Sequence, residues 1–332
     1  MTTALDSTNP TMVDAAKRTD PDGGIAMIVE QLMKMTPELE DATLIEGNLD
    51  TGHRISLRTA LPSLTWRMAN QGVPGSKSLT DQMDETCGQL AGRSVCDPDV
   101  AGLGGNEVAF RASEDSAFVE ALGEEVATGI FYHSHVTNPE KFHGLAARLA
   151  STTGLYGGQV VDSQISASGD DQASAYWITW GPKACYLIHP KGSKAGLQMI
   201  DMGLQGVTDA DGNRFPAYET FWKWNIGLCV EDYRKVVRVA NIDTSAVAET
   251  GTLLLQDLLK GYYQLYKPET GRCALYVNRK IAFYLESQAI MGAVNSTLKY
   301  DDFGQGNKKT LMFQGCPVRV TDSLLNTESI VS

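Results

Sequence analysis

His133-Ser134-His135, followed by Glu140, is the group of side chains in this sequence best suited to chemistry. Alternate residues of a β-strand point to one side, so the two imidazoles with a carboxylate close behind could give a divalent metal three donors. A second candidate is Asp209-Ala210-Asp211-Gly212-Asn213, whose clustered oxygens suit calcium. A helix-flanked calcium loop needs glycine at its sixth position and glutamate at its twelfth, and this sequence has Arg214 and Thr220 there. Asp-Gly between β-prone segments therefore predicts a turn. The glycines of Ala101-Gly102-Leu103-Gly104-Gly105 lack the spacing and preceding hydrophobic strand of a phosphate-binding loop, and they also read as a turn. No Gly-x-Ser-x-Gly nucleophile motif occurs. Cys87, Cys96, Cys185, Cys229, Cys273 and Cys316 form no Cys-x-x-Cys and are expected to be buried free thiols. No motif calls for a cofactor.

Positioning any of these groups requires regular elements, and the hydrophobic periodicity supplies them. Residues 1–24 are too polar to order themselves and read as an arm, whereas Ile25, Ile28, Val29, Leu32 and Met33 recur at helical spacing ahead of Pro37. Residues 47–77 carry short β-prone pieces, Arg54 to Leu57 and Leu64 to Arg67, which suit a two-stranded excursion resting on something else. Ser113 is the expected N-cap of a helix with Phe118, Val119, Leu122 and Val126 on one face and Gly129 at its end. Residues 154–172 read as a loop. Tyr176 to Trp180 and Ala184 to Ile188 then predict a hairpin around Gly181-Pro182-Lys183. Thr220, Trp222, Trp224, Ile226 and Leu228 should share one face of a strand, and Val236 to Ile242 form another. Leu254, Leu255, Leu258, Leu259, Tyr262 and Leu265 line a helix ending before Pro268, and Asn278 caps a second carrying Ile281, Tyr284, Leu285 and Ala289. Strands at Ala274 to Val277 and Leu311 to Arg319 complete an α+β reading, because helices and strands occur in runs.

The charge balance, 28 Lys plus Arg against 40 Asp plus Glu, gives −12, the wrong sign for a dedicated nucleic-acid binder. The first ten residues lack the apolar core of a signal peptide, and no stretch approaches the ~20 apolar residues of a membrane helix. A soluble protein made in the cytoplasm, without a membrane partner, is the expectation. A chain of 332 residues suits lobes or two intimately joined domains.

The first histidine pair partly resembles the cupin metal motif, which implies a metal-dependent enzyme using His133, His135 and Glu140. The resemblance is incomplete, since Ala127 and Ala147 stand where the motif has glycine. A second resemblance spans most of the chain. Gly129-Ile130-Phe131-Tyr132 leads through Asn138-Pro139-Glu140-Lys141-Phe142-His143-Gly144-Leu145 to Arg148. Trp180-Gly181 is followed by Pro190-Lys191-Gly192-Ser193-Lys194-Ala195-Gly196-Leu197, and Phe221 to Leu228 by Arg234, Arg238 and Ala240-Asn241-Ile242-Asp243. Last comes Phe313-Gln314-Gly315-Cys316-Pro317-Val318-Arg319 with Thr321-Asp322. These four blocks, in this order, resemble the major capsid proteins of short-tailed phages such as epsilon fifteen and the Bordetella phage group, which carry the Hong Kong ninety-seven fold.

That resemblance implies a structural protein whose copies form hexamers and pentamers of an icosahedral shell around DNA, located in the virion. It implies an N-terminal arm with a short helix (1–46), an extended two-stranded loop (47–77), a peripheral lobe with a long helix (78–150), and an axial lobe with strands returning to the peripheral lobe (151–332). The prototype has a further strand after the Pro-Val block, whereas 13 residues follow Arg319 here, so an altered element order is expected. Portal, scaffold and decoration proteins are the implied partners, and DNA is met by proximity, with Lys17 and Arg18 the inward cations. Phe131, Tyr132, Asn138, Pro139, Phe142, Gly144, Leu145 and Arg148, with Gly315, Pro317 and Arg319, are expected to act structurally at or near a subunit contact. Lys141, Lys191 and Lys194 read as solvated surface charges.

Overall fold

The structure, a computed structural model, describes residues 9–10, 34–103, 105–153, 156–163, 171–209, 212–290, 298–302 and 309–331. The helix expected over Ile25 to Met33, most of the arm, and Lys17 and Arg18 lie outside the described residues. In chain order the elements are α1 (Pro37–Asp41), β1 (Leu44–Glu46), β2 (Gly52–Ala60), β3 (Leu79–Thr86), β4 (Gly88–Cys96), α2 (Pro98–Ala101), α3 (Glu107–Tyr132) and α4 (Leu145–Arg148). Then come β5 (Val160–Asp162), β6 (Gln172–Trp180), β7 (Cys185–His189), β8 (Gln198–Thr208), β9 (Arg214–Val230), β10 (Val236–Asp243) and α5 (Val247–Gln264). Strand β11 (Arg272–Val277), α6 (Arg279–Ile290), β12 (Leu298–Asp302), β13 (Lys309–Phe313) and β14 (Cys316–Val320) complete the α+β chain.

Strand β6 is the centre. All nine of its residues are buried, and β10 and β11 pair antiparallel along its two edges. Its faces feed two cores. Ala173, Ala175 and Trp177 join Leu254, Leu258, Ile281 and Leu285 of α5 and α6, while Tyr176, Ile178 and Trp180 join Val126, Ile130 and Phe131 of α3. A strand covered on both faces reads as a near-continuous apolar run, as Ala175 to Ile178 does here. In β10 a register shift between Val239 and Ile242 coincides with Asn241 at φ 60°. This bulge restores Ile242 to the face shared by Val237 and Val239.

The expected hairpin of Tyr176 to Trp180 with Ala184 to Ile188 does not form. Both edges of β6 are already taken, so β7 touches it only at Trp180 opposite Cys185. It pairs instead with the last four residues of β9 and with β1. The long strand β9 continues outward, flanked by β4 and β8. The alternation expected on β9 is observed, with Thr220, Trp222, Ile226 and Leu228 buried and Trp224 partly so.

Three boundaries differ from the sequence expectation. Helix α3 begins six residues before Ser113, because the Asn106 side chain accepts from the Ala109 N–H (3.2 Å) and Glu107 occupies the first turn. It also runs through Gly129. The excursion spans Gly52 to Thr86, with β2 paired to β3. Leu64 to Arg67 is not a strand but part of an irregular tip at 61–78. Its base is set by Ile55, Leu57 and Met83 packing against Tyr186, Ile188 and Cys229. Finally, Leu311 to Arg319 is two strands, turned at Gln314 (φ 51°) and Gly315 (φ 79°). Two consecutive positive φ values are what a tight I′ hairpin requires.

Candidate functional site

The site is the junction where the extended loop leaves the core, and Arg148 is its hub. Helix α4 places the Arg148 side chain, 3% exposed, against Glu85 at the end of β3, 5% exposed. Both guanidinium Nη atoms donate to the carboxylate, Nη2 to Oε2 at 2.6 Å. Nη1 also donates to the Tyr233 hydroxyl (3.0 Å), Nη2 to the His143 and Leu228 carbonyls (3.0 and 3.2 Å), and Nε to the His143 carbonyl (3.2 Å). Every N–H of the guanidinium thus has an acceptor, the condition under which a buried charge is tolerated. Burial works against the charged form, but Glu85 more than offsets it and the Arg148 pKa rises. Tyr233 is itself braced by Tyr156, ring on ring at 3.5 Å and 3°. One side chain therefore ties the return strand of the loop to β9, α4 and the Tyr233 turn.

The approach to Arg148 depends on two glycines. The Gly144 N–H donates to the His133 carbonyl (2.8 Å). A Cβ on Gly144 would stand 2.5 Å from the Gly129 carbonyl oxygen, and one on Gly129 would stand 2.8 Å from Phe142 Cζ. Gly129 is thus a crossing point for the 142–144 segment, which is why it lies inside α3 instead of ending it. Phe142 and Leu145 are buried in the core that holds Phe131, and Phe131 packs at 5.1 Å from the Tyr176 ring. Tyr132 donates to Glu328 and accepts from the Leu325 N–H (3.0 Å). Asn138 and Pro139 are exposed in the intervening turn, which closes through the Lys141 N–H to the Asn138 carbonyl (3.0 Å).

Two further ion pairs fasten the chain ends. Arg238 Nη2 meets Glu328 at 2.8 Å, and Nη1 donates to the Leu149 carbonyl at 2.9 Å. Arg319 meets Asp41 of α1 at 2.9 and 3.0 Å, and the Tyr276 hydroxyl donates to the same carboxylate at 2.8 Å. The Thr321 and Ser323 hydroxyls donate to Glu38, so residues 35–41 dock on their own subunit. Gly315 and Pro317 lie on the β13–β14 hairpin, away from the Arg148 junction. Glu85, Tyr233, Glu328 and Asp41 carry no motif that marks them in the sequence. The signal available was that a buried arginine needs a carboxylate partner, but sequence does not say which one.

The three residues of the metal-enzyme reading are not brought together. His133 caps the C-terminal end of α3 instead of lying on a strand, and its Nε2 is 3.2 Å from Glu125. His135 is exposed, edge-on to His143 at 5.5 Å, and Glu140 is exposed. Among the described residues no group of three His, Cys, Asp or Glu side chains is placed to hold a metal ion. Burial, with Arg148 and His135 adding to it, pushes the His143 pKa down to about 4. Of the calcium-loop candidate, Ala210 and Asp211 lie outside the described residues, and the Asn213 N–H donates to the Asp209 carboxylate (2.8 Å).

A sheet around a buried strand, a long helix and a pinned two-stranded excursion are shared with phage capsid subunits of the Hong Kong ninety-seven type. A chain from the bacteriophage Epsilon15 structure is 30% identical, with 99% of each chain covered and a TM-score of 0.78. The bacteriophage JBD30 capsid shares the fold at a TM-score of 0.50, 11% identity and 96% coverage of both chains. The sequence profile of the family Major capsid protein GP7 matches residues 20–332, and the chain belongs to that family. No curated protein matches. The role of the chain is structural, in the capsid shell of the virion.

Proposed function

We propose that copies of this chain form hexamers and pentamers that close an icosahedral shell around phage DNA, with the extended loop of each subunit lying across a neighbour. One observation carries this reading. At the loop tip Leu64 is 92% exposed, Trp66 101% and Met68 78%, while the base is fixed by the buried Arg148 and Glu85 pair. A rigid base holding large apolar side chains in water fits a surface that another molecule covers. At about 25 cal/mol per Å² of apolar surface, each such contact is modest, and repetition around a closed shell makes the whole stable.

In this reading the peripheral lobe comprises residues 87–150, the part of 78–150 beyond the loop, with β9, which pairs with β4, and β8, which pairs with β9. The axial lobe takes the remainder of 151–332, the extended loop reaches from 47–77 on to Thr86, and 1–46 is the arm. The exposed turn carrying Asn138 and Pro139 faces a neighbour, held by Phe131, Tyr132, Phe142, Gly144, Leu145 and Arg148 behind it. Portal, scaffold and decoration proteins are the further partners, synthesis is in the host cytoplasm, and at −12 the chain meets DNA by proximity without base recognition. Limited proteolysis tests the loop assignment. Residues 61–78 should be cut readily in free subunits and protected in particles, and equal rates in the two states would refute the intersubunit contact.

A further inference from the structure

Two of the six thiols stand side by side, and the shell geometry above uses neither. Strands β11 and β14 run parallel with Leu275 opposite Val318 and Tyr276 opposite Arg319. The same offset brings Cys273 opposite Cys316. Neighbouring strands lie about 4.8 Å apart, inside the Cα separation of roughly 4.4–6.8 Å that a disulfide accepts. Both side chains point to the same face: Cys316 belongs to the core cluster around Trp177 and Leu258, and Cys273 packs against it. The two thiols are close enough to shift each other's pKa, Cys316 down and Cys273 up.

This pair is also reachable. A cavity of about 470 Å³ opens on both cysteines and is lined as well by Tyr262, Glu269, Arg272 and Gln314. The molecule carries its own comparison. Cys185 and Cys229 also sit on neighbouring strands, diagonal across β7 and β9, but both are 0% exposed and burial pushes both thiols up.

We propose that Cys273 and Cys316 form an oxidisable dithiol that reacts with a small disulfide entering this cavity and closes a cross-link within the subunit. Cys316 is the nucleophile, because the neighbouring Cys273 thiol holds its pKa down, while Cys273 itself is held up by Cys316 and by burial. The Cys316 thiolate attacks one sulfur of the small disulfide, that S–S bond breaks, and the first small thiol leaves. Cys273 then loses its proton to solvent and attacks the Cys316 sulfur, expelling the second. Two cysteine thiols are oxidised by two electrons in total, and the small disulfide is reduced to two thiols. The link fastens the start of β14 to β11 across the segment that carries α6, β12 and β13.

The test uses the assembled full-length protein with excess oxidised glutathione as the probe. The reaction is quenched by alkylation in denaturant, followed by tryptic digestion and non-reducing mass spectrometry. The expected product joins the peptides 273–279 and 310–319, two hydrogens lighter than their sum, with Cys185 and Cys229 recovered alkylated. In the Cys273→Ser variant Cys316 should instead retain glutathione as a stable mixed disulfide. Recovery of both Cys273 and Cys316 as alkylated thiols after prolonged exposure would overturn the proposal, and so would a cross-link of either to a different cysteine.

Discussion

Replacing Glu85 by Ala isolates the energetics of the loop base. The substitution removes Glu85, the one carboxylate paired with the Arg148 guanidinium among the described residues, where the Arg148 side chain is 3% exposed. Tyr233 and the His143 and Leu228 carbonyls remain as acceptors, but none of them carries a neutralising charge. Breaking a buried pair from one side costs about 3–5 kcal/mol. At about 2.1 cal/mol/K per residue, the unfolding entropy of 332 residues is about 0.7 kcal/mol/K, so Tm should fall by roughly 4–7 °C. Differential scanning calorimetry of disassembled subunits reads this directly. The double variant Glu85→Leu with Arg148→Met removes both charges and should recover most of the loss, because the cost comes from an uncompensated charge more than from a lost attraction. A fall of less than about 1 °C in the single variant, or a double variant worse than the single, would refute the reasoning.

Three other outcomes follow from the same junction. Gly144→Ala places a Cβ 2.5 Å from the Gly129 carbonyl oxygen and should cost about 1–3 kcal/mol or more in subunit stability, while Gly158→Ala, with nothing within 4 Å, should be neutral by the same calorimetry. Phe142→Ala empties a buried site and should cost about 3–5 kcal/mol, read as a lower yield of closed particles. Because the folded His143 pKa is depressed from 6.5 to about 4, the unfolded chain binds the proton first as pH falls. Its contribution to stability is therefore full above about 6.5 and lost progressively toward 4. His143→Gln should flatten the pH dependence of stability in that window, and an NMR titration of His143 with a midpoint near 6.5 would refute the assignment.

What was legible in the sequence was mostly local. Asn278 capping α6, the apolar stripe of α5 and the alternation on β9 are each written within a few residues, so periodicity reads them correctly. The edges of β6 are a different matter. Nothing in Tyr176 to Ile188 says that β10 and β11, about 60 and 100 residues away, will occupy both sides and turn an apparent hairpin into two strands of different partners. The second strand of the excursion lies at Leu79–Thr86 and not at Leu64 to Arg67 for a related reason. The polar run Thr80-Asp81-Gln82-Met83-Asp84-Glu85 has little β-propensity and is held by pairing with β2, by Arg54 to Asp84, and by Arg148. Arg148 itself stood out through its motif, but its partner Glu85 lies 63 positions earlier. The histidine pair misled because its spacing fits a strand, and here it follows the end of a helix.

Electron microscopy of this chain expressed without other phage components shows whether it builds a closed shell. Closed icosahedral particles, tens of nanometres wide, are expected, with hexamers and pentamers of this chain resolved and the 61–78 tip of each subunit resting on its neighbour. A monodisperse small oligomer carrying stoichiometric metal would contradict this expectation.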